Sequence, residues 1–176
     1  MASADPLVSM LERPEVRVED VAILLAKEAH PQLDEHALRR ALDGLGAEAL
    51  IRRGLRSTPE RDGRILAELL FEELHFCGDV DDYYDPRNSY LDEVMRRRRG
   101  IPISLSVLTI AIGERAGMEV QGVGFPGHFL VRVGGADGVY QDPFHGGELL
   151  DGFGLRRLAA QFLGAERALL PSYLVP

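Results

Sequence analysis

With 176 residues, 45% of them apolar, the chain is long enough to bury one hydrophobic core and too short to require two. Its formal charge of -8 repels phosphate and argues against nonspecific nucleic-acid binding. The longest apolar runs, 21–26 and 107–112, fall far below the ~20 residues of a bilayer-spanning helix, and residues 1–6 lack the basic-then-apolar pattern of a secretory leader; the expectation is a cytoplasmic protein with no membrane partner. The one cysteine, Cys77, allows neither an internal disulfide nor a thiolate metal cage, and reads as an ordinary buried or partly buried thiol.

In chain order, the first ~75 residues read as helices joined by short turns. Residues 20–29 are apolar at helical spacing up to Pro31, and Asp34 caps a longer helix through Arg52. Ser57-Thr58-Pro59-Glu60 combines a cap, a proline at the helix start and an early acid, and opens a helix reaching about Leu74. Residues 79–86 carry Asp81, Asp82 and Asp85 around Tyr83-Tyr84, but lack the glycine and distal glutamate of a calcium loop, so they read as a solvated turn. A short helix over 89–98 follows. Arg96, Arg97, Arg98 and Arg99 fit the negative end of that helix or a solvated face, with an anionic contact patch as the alternative.

Gly100 stops that helix and Pro102 opens the next, which runs to about Ala116. Ile103, Leu105, Val107, Leu108, Ile110, Ala111 and Ile112 cover almost its whole circumference, marking a central helix surrounded by protein. Pro102, Ser106, Thr109 and Gly113 form a strip of small residues where a sheet can come close. After Gly117 the period changes to two, giving antiparallel strands at 120–123, 129–133 and 139–141. Turns fall at Gly124-Phe125-Pro126-Gly127 and at 134–138; a short strand lies between Gly147 and Asp151, and a last helix spans 155–162. The fold class is α+β in a single domain over 1–176, a helical part at 1–78 and a core at 79–176.

If Val133 pairs with Val139, then His128, Leu130 and Asp142 share one face, with Asp142 diagonal to His128 at roughly 5 to 8 Å between backbones. A carboxylate there fixes the imidazole's tautomer and raises its basicity. A purely structural pin for the hairpin is the alternative. His145 adds a third donor of a kind zinc accepts, but it follows Pro143 in a turn and lacks the paired spacing of metal histidines; the site is read as metal-free, with no cofactor.

The runs Asp85-Pro86-Arg87-Asn88-Ser89-Tyr90-Leu91, Arg99-Gly100-Ile101-Pro102-Ile103-Ser104-Leu105-Ser106, Gly122-Val123-Gly124-Phe125-Pro126-Gly127-His128-Phe129-Leu130-Val131-Arg132 and Asp142-Pro143-Phe144-His145-Gly146-Gly147 resemble the SirB-type branch of the transglutaminase-like superfamily. The resemblance implies a cysteine-proteinase-like arrangement, a central helix on an antiparallel sheet. It implies triad positions at His128 and Asp142 and a cleft that Asn88, Pro102, Arg132 and His145 would help to form. Laid without gaps over 100–117, the nucleophilic cysteine's slot is filled by Pro102, which cannot attack. Ser106 shares that face one turn, ~5.4 Å, deeper, and Ser104 points roughly 200° away. Loss of a triad member leaves only ~10³ to 10⁴ acceleration over water in a serine protease. The reading is a non-catalytic, regulatory domain that binds a peptide or protein segment; the alternative is a hydrolase or acyltransferase with Ser104 or Ser106 as a displaced nucleophile.

Overall fold

The computed structural model describes residues 6–11, 16–164 and 170–175. Its elements are α1 (Pro6–Leu11), α2 (Val18–Ala29), α3 (Glu35–Arg53), α4 (Pro59–Ala67), β1 (Cys77–Gly78), α5 (Leu91–Arg97), β2 (Arg99–Gly100), α6 (Pro102–Arg115), β3 (Val120–Phe125), β4 (His128–Val133), β5 (Val139–Asp142), β6 (Glu148–Leu150) and α7 (Gly152–Leu163). Local chemistry sets most boundaries. Asp34 accepts the Ala37 amide at 2.9 Å to start α3, Thr58 accepts that of Arg61 at 3.3 Å to start α4, and Asp151 accepts those of Phe153 and Gly154 to start α7. Beyond α4 the helix widens into a π-helical turn, Glu68–Glu73, that keeps Leu69, Leu70 and Phe71 in the core.

β3, β4, β5 and β6 form an antiparallel sheet in chain order. Val133 pairs with Val139, so Leu130 lies opposite Asp142 and His128 is its diagonal neighbour. β3 and β4 extend to the Phe125–His128 pair, leaving Pro126-Gly127 as a two-residue connection. Gly127 has φ +72°, and a Cβ on it would sit 2.8 Å from the Phe162 ring of α7, so the turn needs glycine for both backbone and packing.

The sheet separates two cores. On one side Val120, Val131 and Val133 meet Leu105, Leu108, Ile110 and Ile112 of α6, which α2, α3 and α4 cover from behind. On the other, Val123, Phe125 and Leu130 meet Leu155, Leu158 and Ala159 of α7. The expected burial of α6 is present except at Ile103, which is 49% exposed at the first turn, where it borders an open groove with α2. Two other expectations are corrected. Cys77 is exposed, since its strand β1 pairs in parallel with β2 at the surface, a pairing too short for a periodicity signal. Asp79 and Asp85 turn inward rather than into solvent, because the part-buried Arg97 pairs with both.

The small strip of α6 has its tightest approach at Gly113, where a Cβ would lie 2.4 Å from Val120 Cγ2. Alanine at a helix-interior glycine ordinarily gains about 1 kcal/mol, but overpacking a filled core costs about 1–3 kcal/mol, so the steric term wins at Gly113. Gly44 of α3 is exposed with nothing within 4 Å of its Cβ position. Thermal or urea unfolding should therefore show Gly44→Ala more stable than the parent by about 0.5–1 kcal/mol and Gly113→Ala less stable.

Candidate functional site

The start of α6 is fixed by an inward-facing polar network. Arg98 takes the left-handed conformation, φ 58°, that ends α5 and turns the chain into β2. This directs Arg97 inward, where it donates to Asp79 at 3.1 Å and to Asn88 Oδ1 at 3.0 Å and approaches Asp85 at 3.4 Å. The solvated-face reading of the arginine run therefore fails at Arg97, whose side chain is 15% exposed, while Arg99 also reaches Asp79 at 3.3 Å. The Arg87 guanidinium and amide, helped by Arg97, hold the Asp85 carboxyl down at about 2.

Asn88 is wholly buried. Its amide donates to the Asp82 carbonyl, its Oδ1 accepts from Arg97, and its backbone carbonyl accepts the Ser104 hydroxyl at 2.6 Å. Ser104 Oγ in turn accepts the Ile101 amide at 3.1 Å and closes the first turn of α6. Asn88 and Ser104 are thus anchors of the helix start. Asn88→Ala removes the side-chain hydrogen bonds to the Asp82 and Tyr83 carbonyls and from Arg97, and strands part of Arg97; it should cost about 2–4 kcal/mol in chemical denaturation.

Beside this anchor lies the second cluster. Asp142 ends β5 and is 1% exposed. Both its oxygens lie 2.9 Å from His128 Nε2, and Oδ2 lies 2.8 Å from His145 Nδ1. Oδ1 also accepts the amides of Phe144 and His145, at 3.1 and 3.3 Å. The pair of amides makes Asp142-Pro143-Phe144-His145 an Asx-type turn, the sequence signal by which His145 could have been placed on Asp142. Burial pushes the Asp142 carboxyl up, but hydrogen bonds and charge from His128 and His145 outweigh it and hold the group below its ordinary 3.8. An ionised carboxylate only accepts, so each facing ring nitrogen donates, and in the neutral rings His128 Nδ1 and His145 Nε2 carry the lone pairs.

The His128 side chain is 2% exposed. Phe162 stacks on it, centroids 5.3 Å apart and planes 18° apart, and Phe144 meets it edge-on at 6.0 Å. Tyr83 stands edge-on to Phe144 at 6.0 Å. These rings, with Val80, Pro102 and His145, line a pocket of about 250 Å³. Pro102 and His128 therefore line the same pocket. Among the described residues, no hydroxyl or thiol hydrogen-bonds to His128. Ser104 is engaged with Asn88, and Ser106 is fully buried with its hydroxyl unpartnered. Arg132 is not at this cluster: four residues along β4, it donates to Gln121 at 2.8 Å. The aromatic lining, Phe162 above all, was not singled out from sequence, because no local pattern marks which face of α7 meets the hairpin.

The depressed Asp142 pKa gives a signed pH prediction. A group lowered on folding contributes stability above its unfolded value, about 3.9, and loses it as pH falls through the folded value. The stability difference between parent and Asp142→Asn should thus shrink as pH falls below about 4; urea midpoints measured across this range report it.

Comparison with known proteins places these features in a family. Residues 35–176 match the family model described as Transglutaminase-like superfamily. A UPF0162 protein of Xylella fastidiosa (strain Temecula1) is 52% identical over 98 residues, 55% of this chain and 35% of the relative. A UPF0162 protein of Vibrio cholerae is 38% identical over 93 residues, 49% of this chain and 34% of the relative. F-box only protein 21 of Homo sapiens is 43% identical over 77 residues, 43% of this chain and 12% of that protein. The chain spans about a third of the length of the UPF0162 relatives from Xylella and Vibrio. No solved structure matches. Among the described residues, no helix is long and apolar enough to cross a membrane. A family match over residues 35–176, with a buried helix on a small antiparallel sheet, makes this chain a member of the Transglutaminase-like superfamily.

Proposed function

We propose that this chain is a SirB-type, non-catalytic transglutaminase-like domain with a regulatory role, binding a peptide or protein segment in the cleft beside His128. The observation that carries the reading is Pro102 lining the same pocket as His128, with no hydroxyl or thiol among the described residues hydrogen-bonded to that ring. What remains is a recognition surface. When neutral, the His128 ring would offer an acceptor nitrogen beside Phe144 and Phe162, suited to an N–H donor flanked by apolar groups. The related segment forms 35% of one relative and 12% of another, which suits a module serving within larger proteins. A charge of -8 disfavours nucleic acid, and a free thiol at Cys77 suits the cytoplasm.

One observation favours a second reading. The unpartnered hydroxyl of Ser106, on the Pro102 face of α6, is the residue on which a hydrolase or acyltransferase would have to rest. The two separate cleanly. Incubation with a serine-reactive probe and a panel of activated esters and amides should give neither labelling nor turnover between pH 6 and 9. In parallel, an extended-peptide library read by NMR should move resonances of Tyr83, Phe144 and Phe162. Turnover abolished by His128→Ala, or a covalent adduct on Ser104 or Ser106, overturns the non-catalytic reading; peptide shifts confined to other surfaces overturn the cleft as the binding site.

A further inference from the structure

The cluster that holds Asp142 has a second chemical capacity. We propose that His128, Asp142 and His145 form a binding site for a divalent transition metal of the zinc class. One nitrogen from each imidazole and one carboxylate oxygen lie within 4.8 Å of one another. His128 Nε2 and His145 Nδ1 already converge on the same carboxylate, at 2.9 and 2.8 Å from Oδ2. A tetrahedral zinc with bonds of about 2.0–2.2 Å needs donors ~3.3 Å apart. The two contacts have to open by about half an ångström, within reach of the His145 side chain, which is 44% exposed.

The donor set selects the ion. Two imidazoles and a carboxylate suit zinc, cobalt or nickel, whereas calcium and magnesium take oxygen donors. The surroundings are those of a usable site. The Phe144 and His145 amides orient the carboxylate from behind, the outer-shell support that metal ligands require. A second pocket of about 160 Å³, lined by Asp142, His145, Glu148 and Gln161, provides access from solvent and room for a water as the fourth ligand. Sequence spacing concealed the set, because the two histidines lie 14 and 3 residues from Asp142 on different elements.

The site stands on this geometry and not on whether the cleft takes a peptide, yet it bears on what the cleft presents. Without metal, the Asp142 carboxylate draws the His128 proton to Nε2 and leaves Nδ1 an acceptor. With metal on Nε2, the neutral ring carries its proton on Nδ1 and becomes a donor. Metal loading would then invert the hydrogen-bond preference of the pocket wall.

Cobalt(II) and zinc titrations of the chelator-treated full chain test the proposal. The expected result is one equivalent of cobalt(II) giving a visible ligand-field band of four-coordinate type, displaced by zinc, with a matching 1:1 heat. His145→Ala, checked for an unchanged melting curve, should weaken binding roughly tenfold or more, and imidazole ¹⁵N shifts of His128 should report the proton's move to Nδ1. Absence of a saturable band and heat, or binding unchanged in His145→Ala, overturns the site. Turnover assays on the chelator-treated chain contain no metal-bound water, so this test and that of the non-catalytic reading can fail separately.

Discussion

One carboxylate, kept ionised inside the protein, organises the cleft. Removing such a group from water costs several kcal/mol even after relaxation, so Asp142 can stay charged only if its lone pairs are taken up. The structure supplies two ring nitrogens and two backbone amides. Charge-assisted hydrogen bonds contribute about 1.5–3 kcal/mol each, so four donors match the desolvation cost where one or two would not. The requirement fixes more than a side chain. It sets the His128 ring, the turn after β5 and the rotamer of His145 together, because each contributes a donor to the same two oxygens.

The order propagates to the start of α6 through a short chain of contacts. The Asx turn at Asp142 carries Phe144, whose ring and carbonyl lie where a Cβ on Gly78 would fall, 2.6 Å away. Gly78 is paired with Gly100 between β1 and β2, and a Cβ on Gly100 would meet Ser104 Oγ at 2.7 Å. Ser104 in turn hydrogen-bonds to Asn88 and hence joins the Asp79, Arg97 and Asp85 network. Two buried polar networks are therefore linked through two glycines that leave no room for a side chain. Pocket geometry is a consequence of both networks being satisfied at once.

The parts of this arrangement legible in sequence were those written in local chemistry. Asp34 and Thr58 mark helix starts by side-chain capping, and the period-two runs locate β3, β4 and β5. Placing Asp142 diagonal to His128 required only the Val133–Val139 register. What sequence hid were interactions set by distant partners. Asp79 and Arg97 read as solvated when taken separately, because burial of a charge is decided by its partner, 18 residues away. The β1–β2 pair is two residues long and has no periodicity to detect. Phe162 joins the site only because Gly127, with its positive φ, lets α7 close over the hairpin. A stripe on one helix does not announce which turn it will cover.

Pro102 connects the fold to the chemistry. At the first position of a helix proline is favourable, since its missing N–H is one that the helix would leave unpaired and its φ is already helical. The same ring removes any nucleophile from the tip nearest His128. On the proposed non-catalytic reading, a residue that strengthens the helix start leaves no attacking atom there, while the imidazole and carboxylate keep their structural duties. The presence of a His–Asp pair does not by itself imply catalysis here, because Asp142 organises the turn and His128 seats Phe144 and Phe162 whether or not a bond is ever broken. The chemistry left to the cleft is that of the His128 nitrogen facing away from Asp142. Whether it accepts or donates depends on what occupies Nε2, so on the proposed reading the buried carboxylate would govern recognition as well as folding.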